Sequence, residues 1–204
     1  MVSADTAFDA TAAPRQEWKR DGETRGGAAA PVGTVGPMTG DRTSRIRRAT
    51  AADVPTLHAI RGAVAGEGRW IGRELPLPED FADRIAASIA DESAVTFVAE
   101  VDGQVVGDCG IHGNGAGHGE LFMALGPEHR GQGLGGALLA EALAWARARP
   151  ELHKVVLQVW PHNAAALTLY RRAGFVVEGY RHQHWRRANG ELWDVIEMGL
   201  LVEG

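Results

Sequence analysis

The pattern of hydrophobic and polar residues changes near residue 45. Residues 1–44 are rich in Ala, Gly, Thr and Pro, and their few large apolar side chains show no periodicity. Such a segment buries too little apolar surface to offset the entropy lost when a chain becomes ordered. We therefore predict a disordered N-terminal tail over residues 1–44 and one folded domain over residues 45–204.

Within the predicted domain, alternating apolar residues indicate strands, and apolar residues three or four apart indicate helices. The order is one strand, two helices, three strands, a helix, a strand, a helix and two strands. This order predicts an α/β (α+β) fold with a mixed central sheet and helices on both faces. The predicted strands cover 45–49, 94–101, 104–112, 120–125, 154–159, 175–185 and 192–201, and the helices begin near 54, 78, 134 and 164.

A glycine-rich segment joins the central strand at 120–125 to the helix that begins at Leu134. Residues 130–136 read Arg-Gly-Gln-Gly-Leu-Gly-Gly. The first N–H groups of a helix lack helical partners, the helix dipole is positive there, and glycine lets a ligand approach the backbone closely. The segment therefore predicts a phosphate-binding loop, to which Arg130 adds a positive charge.

Two other interpretations of this loop remain. Gly131, Gly133 and Gly136 match the GxGxxG fingerprint of dinucleotide-binding folds, which also needs an acidic residue after the next strand. This chain has Trp160 and Pro161 at that place, so a dinucleotide-dependent oxidoreductase is disfavoured. A purely structural glycine turn is the second alternative.

The order of a strand, Arg130-x-x-Gly133-x-Gly135 and a helix resembles the acetyl-CoA-binding motif of the GNAT family of N-acetyltransferases. Residues 154–175, with Asn163 and Tyr170, are similar to the next strand and helix of that family. The resemblance covers about residues 45–202. It implies the GNAT fold and acetyl-CoA as the acyl donor.

The resemblance also implies which residues bind the donor. In the family, the backbone at the end of the central strand grips the pantetheine and polarises the thioester carbonyl, and the loop holds the phosphates. The cofactor-binding residues implied in this sequence are Met123, Ala124, Leu125, Arg130, Gly131, Gln132, Gly133, Leu134, Gly135, Gly136, Asn163 and Tyr170.

The helix after residue 163 carries two of these candidates on one face. Asn163, Leu167 and Tyr170 follow at intervals of four and three residues, so their side chains share one side of the helix. An asparagine also suits a helix cap, and a tyrosine a packed position, which is the structural alternative. The resemblance implies that Asn163 contacts the donor and that Tyr170 donates a proton to the leaving sulfur.

The acceptor side offers a glutamate base and an aromatic rim. An acceptor ammonium, with a pKa of about 10, must lose a proton before it attacks a thioester. Glu120 begins the central strand, where many family members place a glutamate for this role; a solvated charge is the alternative. Glu67 and Trp70 are the candidates for binding the acceptor, and Trp185 and Trp193 extend the predicted rim.

Composition limits the partners and the compartment. The 204 residues carry a formal charge of −5, which argues against a general nucleic-acid binder. No apolar run approaches the roughly 18 residues of a membrane helix. A single cysteine, Cys109, excludes an internal disulfide and suits the cytoplasm. His182 and His184 share a strand face, but no third ligand has a fitting spacing, so we predict no metal.

These observations predict an N-acetyltransferase that moves the acetyl group of acetyl-CoA to the free amine of a small molecule. The last hairpin resembles the branch that acetylates amino acids and similar amines. The alternatives are an acetyltransferase of protein N-termini, as in the ribosomal-protein branch, and a silent CoA-binding module. The resemblance further implies a homodimer.

Overall fold

The computed structural model describes residues 43–113 and 115–202. The predicted tail lies outside the described residues, apart from Thr43 and Ser44, and Ser44 already begins the first strand. The strands are β1 (Ser44–Arg48), β2 (Ala94–Val101), β3 (Gln104–Gly113), β4 (His118–Leu125), β5 (Lys154–Val159), β6 (Val176–Arg186) and β7 (Leu192–Leu201). The helices are α1 (Val54–Gly66), α2 (Phe81–Ala90), α3 (Leu134–Arg147) and α4 (Ala164–Arg172).

The element order confirms the order predicted from the sequence, and three boundaries differ from the prediction by two residues or more. Helix α2 begins at Phe81 and not at Pro78, because Pro78 opens a turn in which its carbonyl accepts the Phe81 N–H at 3.0 Å. Strand β4 begins two residues before Glu120, since His118 and Gly119 already pair with β5.

The third difference is the end of α4, which stops before Phe175. Gly174 adopts a φ of 98°, a left-handed conformation that suits glycine at a helix end. The Gly174 N–H donates to the Arg171 carbonyl, and the Phe175 N–H donates to the Tyr170 carbonyl, both at 3.0 Å. These two bonds close the helix and send the chain into β6.

The seven strands form one mixed sheet in the order β1-β2-β3-β4-β5-β7-β6. All neighbours are antiparallel except β4 and β5, which are parallel. The β4–β5 pairing covers only three residue pairs, the last being Glu120 with Val156. Beyond this point the two strands separate, and the second half of β4 has no β5 partner.

Helices cover both faces of the sheet, as predicted. Phe97 and Val98 are neighbours on β2, and their side chains point to opposite faces. Phe97 belongs to the core cluster that contains Leu138 of α3, and Val98 belongs to the cluster that contains Leu57 of α1. The two hydrophobic layers hold the sheet between α1 and α2 on one side and α3 and α4 on the other.

A buried ion pair fastens α1 to the sheet. The guanidinium of Arg61 contacts the carboxylate of Asp108, whose side chain is fully buried in β3. Burial raises the pKa of Asp108, and the charge of Arg61 opposes that rise. The pair fixes the C-terminal half of α1, and with it the segment that follows the helix. None of the helices in the described ranges is long and apolar enough to cross a bilayer.

Candidate functional site

A cavity of about 680 Å³ opens where β4 and β5 separate. Its walls come from the ends of both strands, the glycine-rich loop, α4 and the segment after α1. The predicted site residues that line it are Trp70, Met123, Ala124, Leu125, Arg130, Gly131, Gly133, Gly135, Gly136, Asn163 and Tyr170. The fold thus brings together residues that the sequence places up to 100 positions apart.

The glycine-rich loop presents free backbone donors to this cavity. Gly131 and Gly133 have φ values of 72° and 84°, in the left-handed region that favours glycine. The first helical bond is donated by Ala137 to the Gly133 carbonyl at 3.1 Å. The N–H groups of residues 134–136 therefore precede the helical ladder and are available to an anion. This geometry fits the diphosphate of a coenzyme A ester.

The side chains of the other two predicted loop residues make contacts elsewhere. Leu134 is buried in the core beneath α3 and anchors the start of that helix. The Gln132 side chain turns back, and its Nε2 donates to the Glu128 carbonyl at 2.8 Å. Neither side chain lines the cavity.

The guanidinium of Arg130 forms a bidentate ion pair that the sequence did not predict. Its Nη1 and Nη2 donate to the two carboxylate oxygens of Glu67 at 2.8 and 2.5 Å. Its Nε donates to the Leu125 carbonyl at 3.0 Å. The same carboxylate accepts the indole N–H of Trp70 at 2.7 Å. The glycine-rich loop is therefore tied directly to the segment after α1.

This pairing sets the charge state of Glu67. Hydrogen bonding from Arg130 is the main cause that lowers the pKa of Glu67, and the Trp70 N–H lowers it further. Glu67 is therefore ionised at neutral pH and suits a binding role better than the role of a base.

Asn163 performs the capping role and keeps a donor free. Its side chain begins α4, and Oδ1 accepts the Ala166 N–H at 3.1 Å. Asn163 also lines the cavity, and this bond uses only Oδ1, so the NH₂ group remains available to a ligand. The two interpretations of Asn163 are thus compatible, since each uses a different atom.

Tyr170 lies two turns further along α4 and is 8% exposed. Its ring packs edge-to-face against Phe175, with ring centroids 5.8 Å apart. Within the described part of the chain its hydroxyl has no hydrogen-bond partner, and the residue lines the cavity. Burial, with a smaller contribution from Cys109, raises the pKa of Tyr170 above its ordinary value. The phenol therefore keeps its proton at neutral pH.

The end of β4 provides unpaired backbone groups at the same place. Residues 123–125 pair with β3 on one side, where Met123 faces Cys109 and Leu125 faces Gly107. Their other side has no β5 partner and borders the cavity. Apart from the Leu125 carbonyl, which accepts from Arg130, backbone groups on this side can bind a ligand laid between the two strands.

Glu120 lies outside this arrangement. It is exposed, stands opposite His112 in the β3–β4 ladder, and is not among the residues that line the cavity. Its role as a base stays a prediction.

The aromatic wall is larger than the sequence suggested. Trp70 and Trp185 line the cavity as predicted for a rim, together with Trp160 and Gln158, which sequence reasoning did not select. Trp193 stands behind this wall, edge-to-face with Trp160 at 5.3 Å between ring centroids. A tryptophan at the end of a buried strand is a signal that could have identified Trp160.

Arg187 holds the aromatic wall against the segment after α1. This arginine is 3% exposed and lies over the Trp193 ring, 4.4 Å from its centroid. Its guanidinium donates to the Gly68 carbonyl at 3.2 Å and pairs with Glu74 at 3.3 Å. Over residues 43–113 and 115–202, no three His, Cys, Asp or Glu side chains are placed to hold a metal ion.

Comparison with known proteins assigns the family. The model of the acetyltransferase (GNAT) family matches residues 66–175, which is more than half of the chain. The chain therefore belongs to this family. The matched region contains the glycine-rich loop, both separating strands and α4.

Among characterised relatives, the L-methionine sulfoximine/L-methionine sulfone acetyltransferase of Pseudomonas paraeruginosa is 31% identical over 149 residues. That match covers 69% of this chain and 85% of the relative. The spermidine N(1)-acetyltransferase of Vibrio cholerae is 35% identical over 82 residues. This match spans 47% of the length of the spermidine enzyme. A separate match, to a mycothiol acetyltransferase from Clavibacter michiganensis, spans 31% of the length of that enzyme.

Solved structures confirm the fold. A GNAT-family acetyltransferase from Streptococcus pneumoniae superimposes with a TM-score of 0.71 at 29% identity, over 78% of this chain and 99% of that one. The ribosomal-protein-alanine N-acetyltransferase of Brucella melitensis gives a TM-score of 0.70 at 29% identity, over 77% and 99% of the two chains.

Proposed function

We propose that this protein transfers the acetyl group of acetyl-CoA to the free amine of an amino acid or a similar small molecule. One observation carries the proposal: the free N–H groups of the glycine-rich loop, the unpaired end of β4 and the Tyr170 hydroxyl all border one cavity. Family membership and the relatives named above support the same activity.

The bound donor supplies an acetyl group activated as a thioester. The N–H groups of residues 134–136 hold its diphosphate at the positive end of α3. The backbone of residues 123–125 orients the thioester and stabilises negative charge on its carbonyl oxygen. As the amine nitrogen bonds to the carbonyl carbon and the carbon–sulfur bond breaks, Tyr170 donates its proton to the departing sulfur.

The amine must also lose a proton during this transfer. We propose that Glu120 accepts it through intervening water, because the carboxylate is exposed on β4 and does not border the cavity. Trp70, which lines the cavity, and Glu67, which accepts the Trp70 indole N–H, bind the acceptor. Glu67 remains ionised and so attracts an ammonium group.

The charge of the cavity favours an acceptor that carries its own carboxylate. Arg130 and Arg172 line it, and none of the lining residues in the described ranges is Asp or Glu. Because Arg130 is paired with Glu67, the positive charge that bears on the acceptor is that of Arg172. A polycation such as spermidine would meet like charge there, whereas an amino acid would not. The methionine sulfone acetyltransferase, which matches over most of its length, supports this choice.

An acceptor panel tests the proposal. Free thiol is measured with acetyl-CoA and L-methionine sulfone, spermidine, or a peptide that begins with alanine. We expect the largest rate with L-methionine sulfone. Activity on the peptide alone would favour the second candidate, an N-terminal acetyltransferase, which the similarity to the Brucella melitensis enzyme supports. Binding of CoA without thiol release from any amine would indicate a silent CoA-binding module.

The single cysteine bears on the compartment in which the protein works. We propose a cytoplasmic location, because Cys109 is the only cysteine and is buried as a free thiol. The homodimer implied by the family resemblance stays a prediction, which sedimentation of the full chain would test.

A further inference from the structure

The ion pair between Arg130 and Glu67 engages the Nη1/Nη2 edge of the guanidinium and both oxygens of the carboxylate. The arginine donates from Nη1 and Nη2 to Glu67 and from Nε to the Leu125 carbonyl. The glutamate receives the arginine and the Trp70 indole. The Nη1/Nη2 edge of Arg130, which could hold a phosphate in a bidentate contact, is therefore occupied by Glu67 while this pair is intact.

The ion pair between Arg130 and Glu67 lies beside the loop that we propose binds the diphosphate. Arg130 directly precedes Gly131, the first glycine of the donor loop, and its side chain lines the cavity. The side chains of Arg130 and Glu67 are 32% and 27% exposed, so a dissolved anion can reach the guanidinium.

Such a pair exchanges readily. Ion pairs at this degree of exposure contribute only about 0.2–1 kcal/mol. A diphosphate carries more charge than a carboxylate and also accepts a bidentate guanidinium contact. A diphosphate held by the amides of residues 134–136 thus competes with Glu67 for the same arginine.

We propose that Arg130 exchanges partners when the donor binds, moving from Glu67 to the diphosphate and releasing the Glu67 carboxylate for the acceptor ammonium. This inference rests on the proposed function. It assigns to Glu67 two successive partners, and it makes acceptor binding depend on prior donor binding.

The local chemistry explains why the release matters. While paired, the carboxylate of Glu67 is neutralised by Arg130, and the cavity has no lining carboxylate in the described ranges to replace it. Once released, Glu67 stays beside Trp70, which itself lines the cavity. Binding of the donor therefore gives the acceptor site its negative charge, the carboxylate of Glu67.

Isothermal titration calorimetry can test whether the diphosphate of the donor competes with Glu67 for Arg130. Acetyl-CoA and acetyl-pantetheine, which lacks the diphosphate, are titrated into the wild-type chain, Glu67→Gln, Arg130→Gln and the double variant. Glu128→Gln is the matched control, because it removes one negative charge near the loop from a side chain that is 70% exposed and does not contact Arg130.

The exchange predicts that Glu67→Gln and Arg130→Gln change the acetyl-CoA affinity in opposite directions. Glu67→Gln should bind acetyl-CoA about three- to five-fold more tightly, since the competing carboxylate is gone. Arg130→Gln should bind it several-fold more weakly, and adding Glu67→Gln to that variant should change nothing further. Acetyl-pantetheine affinity and the Glu128→Gln control should stay at wild-type values.

A kinetic measurement tests the second half of the exchange. With saturating acetyl-CoA and L-methionine sulfone, Glu67→Gln should raise the acceptor KM while kcat falls little, because the lost contact binds the ammonium. A reduced kcat at unchanged acceptor KM would contradict the binding role.

The failures of the two proposals are distinguishable. If the wild-type chain does not bind acetyl-CoA, the proposed function fails. If it binds, but Glu67→Gln leaves the affinity unchanged or weaker, or shifts acetyl-pantetheine equally, the exchange is wrong while the acetyltransferase proposal stands.

Discussion

Asn163 caps the helix that carries Tyr170. The Oδ1 atom of Asn163 accepts the Ala166 N–H at 3.1 Å, and Tyr170 follows on the same side of α4. Both residues border the cavity. One cap therefore sets the helix start, places an amide NH₂ at the cavity and aims the tyrosine that we propose as the acid.

Replacing Tyr170 with Phe should lower kcat by about 100-fold or more, because a positioned general acid contributes about 10²–10⁴ to the rate. The acetyl-CoA affinity should stay near wild type, since the ring and its packing against Phe175 are kept. Thiol release at saturating donor gives kcat, and a heat-shift titration gives affinity. An unchanged kcat would rule out the acid role.

The cap and the ligand contact of Asn163 can be separated by a pair of substitutions. Asn163→Asp keeps the oxygen that accepts the Ala166 N–H but lacks the NH₂ donor, so stability should hold while acetyl-CoA binding weakens. Asn163→Ala loses both, and its unfolding free energy should also fall by about 1 kcal/mol. Urea denaturation and calorimetry measure the two effects. If Asn163→Asp binds the donor like wild type, the residue is only a cap.

Gly133→Ala should weaken acetyl-CoA binding, because alanine at a φ of 84° costs roughly 1–2 kcal/mol and the loop relaxes away from that conformation. Gly103→Ala is the matched control: Gly103 lies in the β2–β3 turn with a φ of 81°. A Cβ at either glycine would meet no atom within 4 Å, so the two substitutions carry similar strain.

Both glycine variants should therefore lose similar stability, and only Gly133→Ala should lose donor affinity. Thermal unfolding and calorimetry with acetyl-CoA provide the two values. Equal donor affinity in the two variants would contradict the loop's proposed role.

Glu120→Gln tests the proposed base. A glutamine cannot accept the proton that leaves the acceptor, so the acidic limb of the kcat/KM profile should shift and the plateau should fall by about 10²-fold. The rate of thiol release is measured across pH with the acceptor that works best. A profile identical to wild type would exclude Glu120 and leave the proton to solvent.

Acid stability should depend on Asp53, at the turn before α1. Contact with Arg47 lowers the pKa of this carboxyl from 3.8 to about 2, and the side chain is 9% exposed. Because the folded pKa lies below the unfolded pKa, the stabilisation is complete above the unfolded value. It is lost as pH falls from about 5 toward 2.

Asp53→Asn should therefore lower the unfolding free energy by roughly 2 kcal/mol at neutral pH and flatten its decline in acid. Glu79→Gln, an exposed carboxylate in the segment before α2, is the control and should keep the wild-type profile. Urea denaturation at several pH values measures both. A parallel decline in Asp53→Asn and wild type would show that Asp53 does not govern acid stability.

Local patterns in the sequence determined the helices and strands and the glycine-rich loop of the candidate site. Strands β2 and β5 have the predicted bounds, since alternation and flanking turns act over a few residues. The glycine-rich loop was predicted as a phosphate-binding site for the same reason, since it is one continuous segment at the start of a helix. The donor roles of Asn163 and Tyr170 on α4 were implied by the resemblance to the GNAT family. The bounds of α2 and α4 differed because a proline turn and a glycine cap override hydrophobic periodicity.

Contacts between distant segments were decided only by the tertiary structure. The cavity exists because β4 separates from β5 after three paired residues. No local pattern in the sequence encodes how far this parallel pairing extends. The pairing of Arg130 with Glu67 joins residues 63 positions apart, and Trp160 gains its role only because Trp185 and Trp193 return to it across the sheet. The sequence by itself determined which groups can bind and donate, because that is side-chain and backbone chemistry. The tertiary structure decided which of them meet, because burial and strand pairing act between segments far apart in the chain.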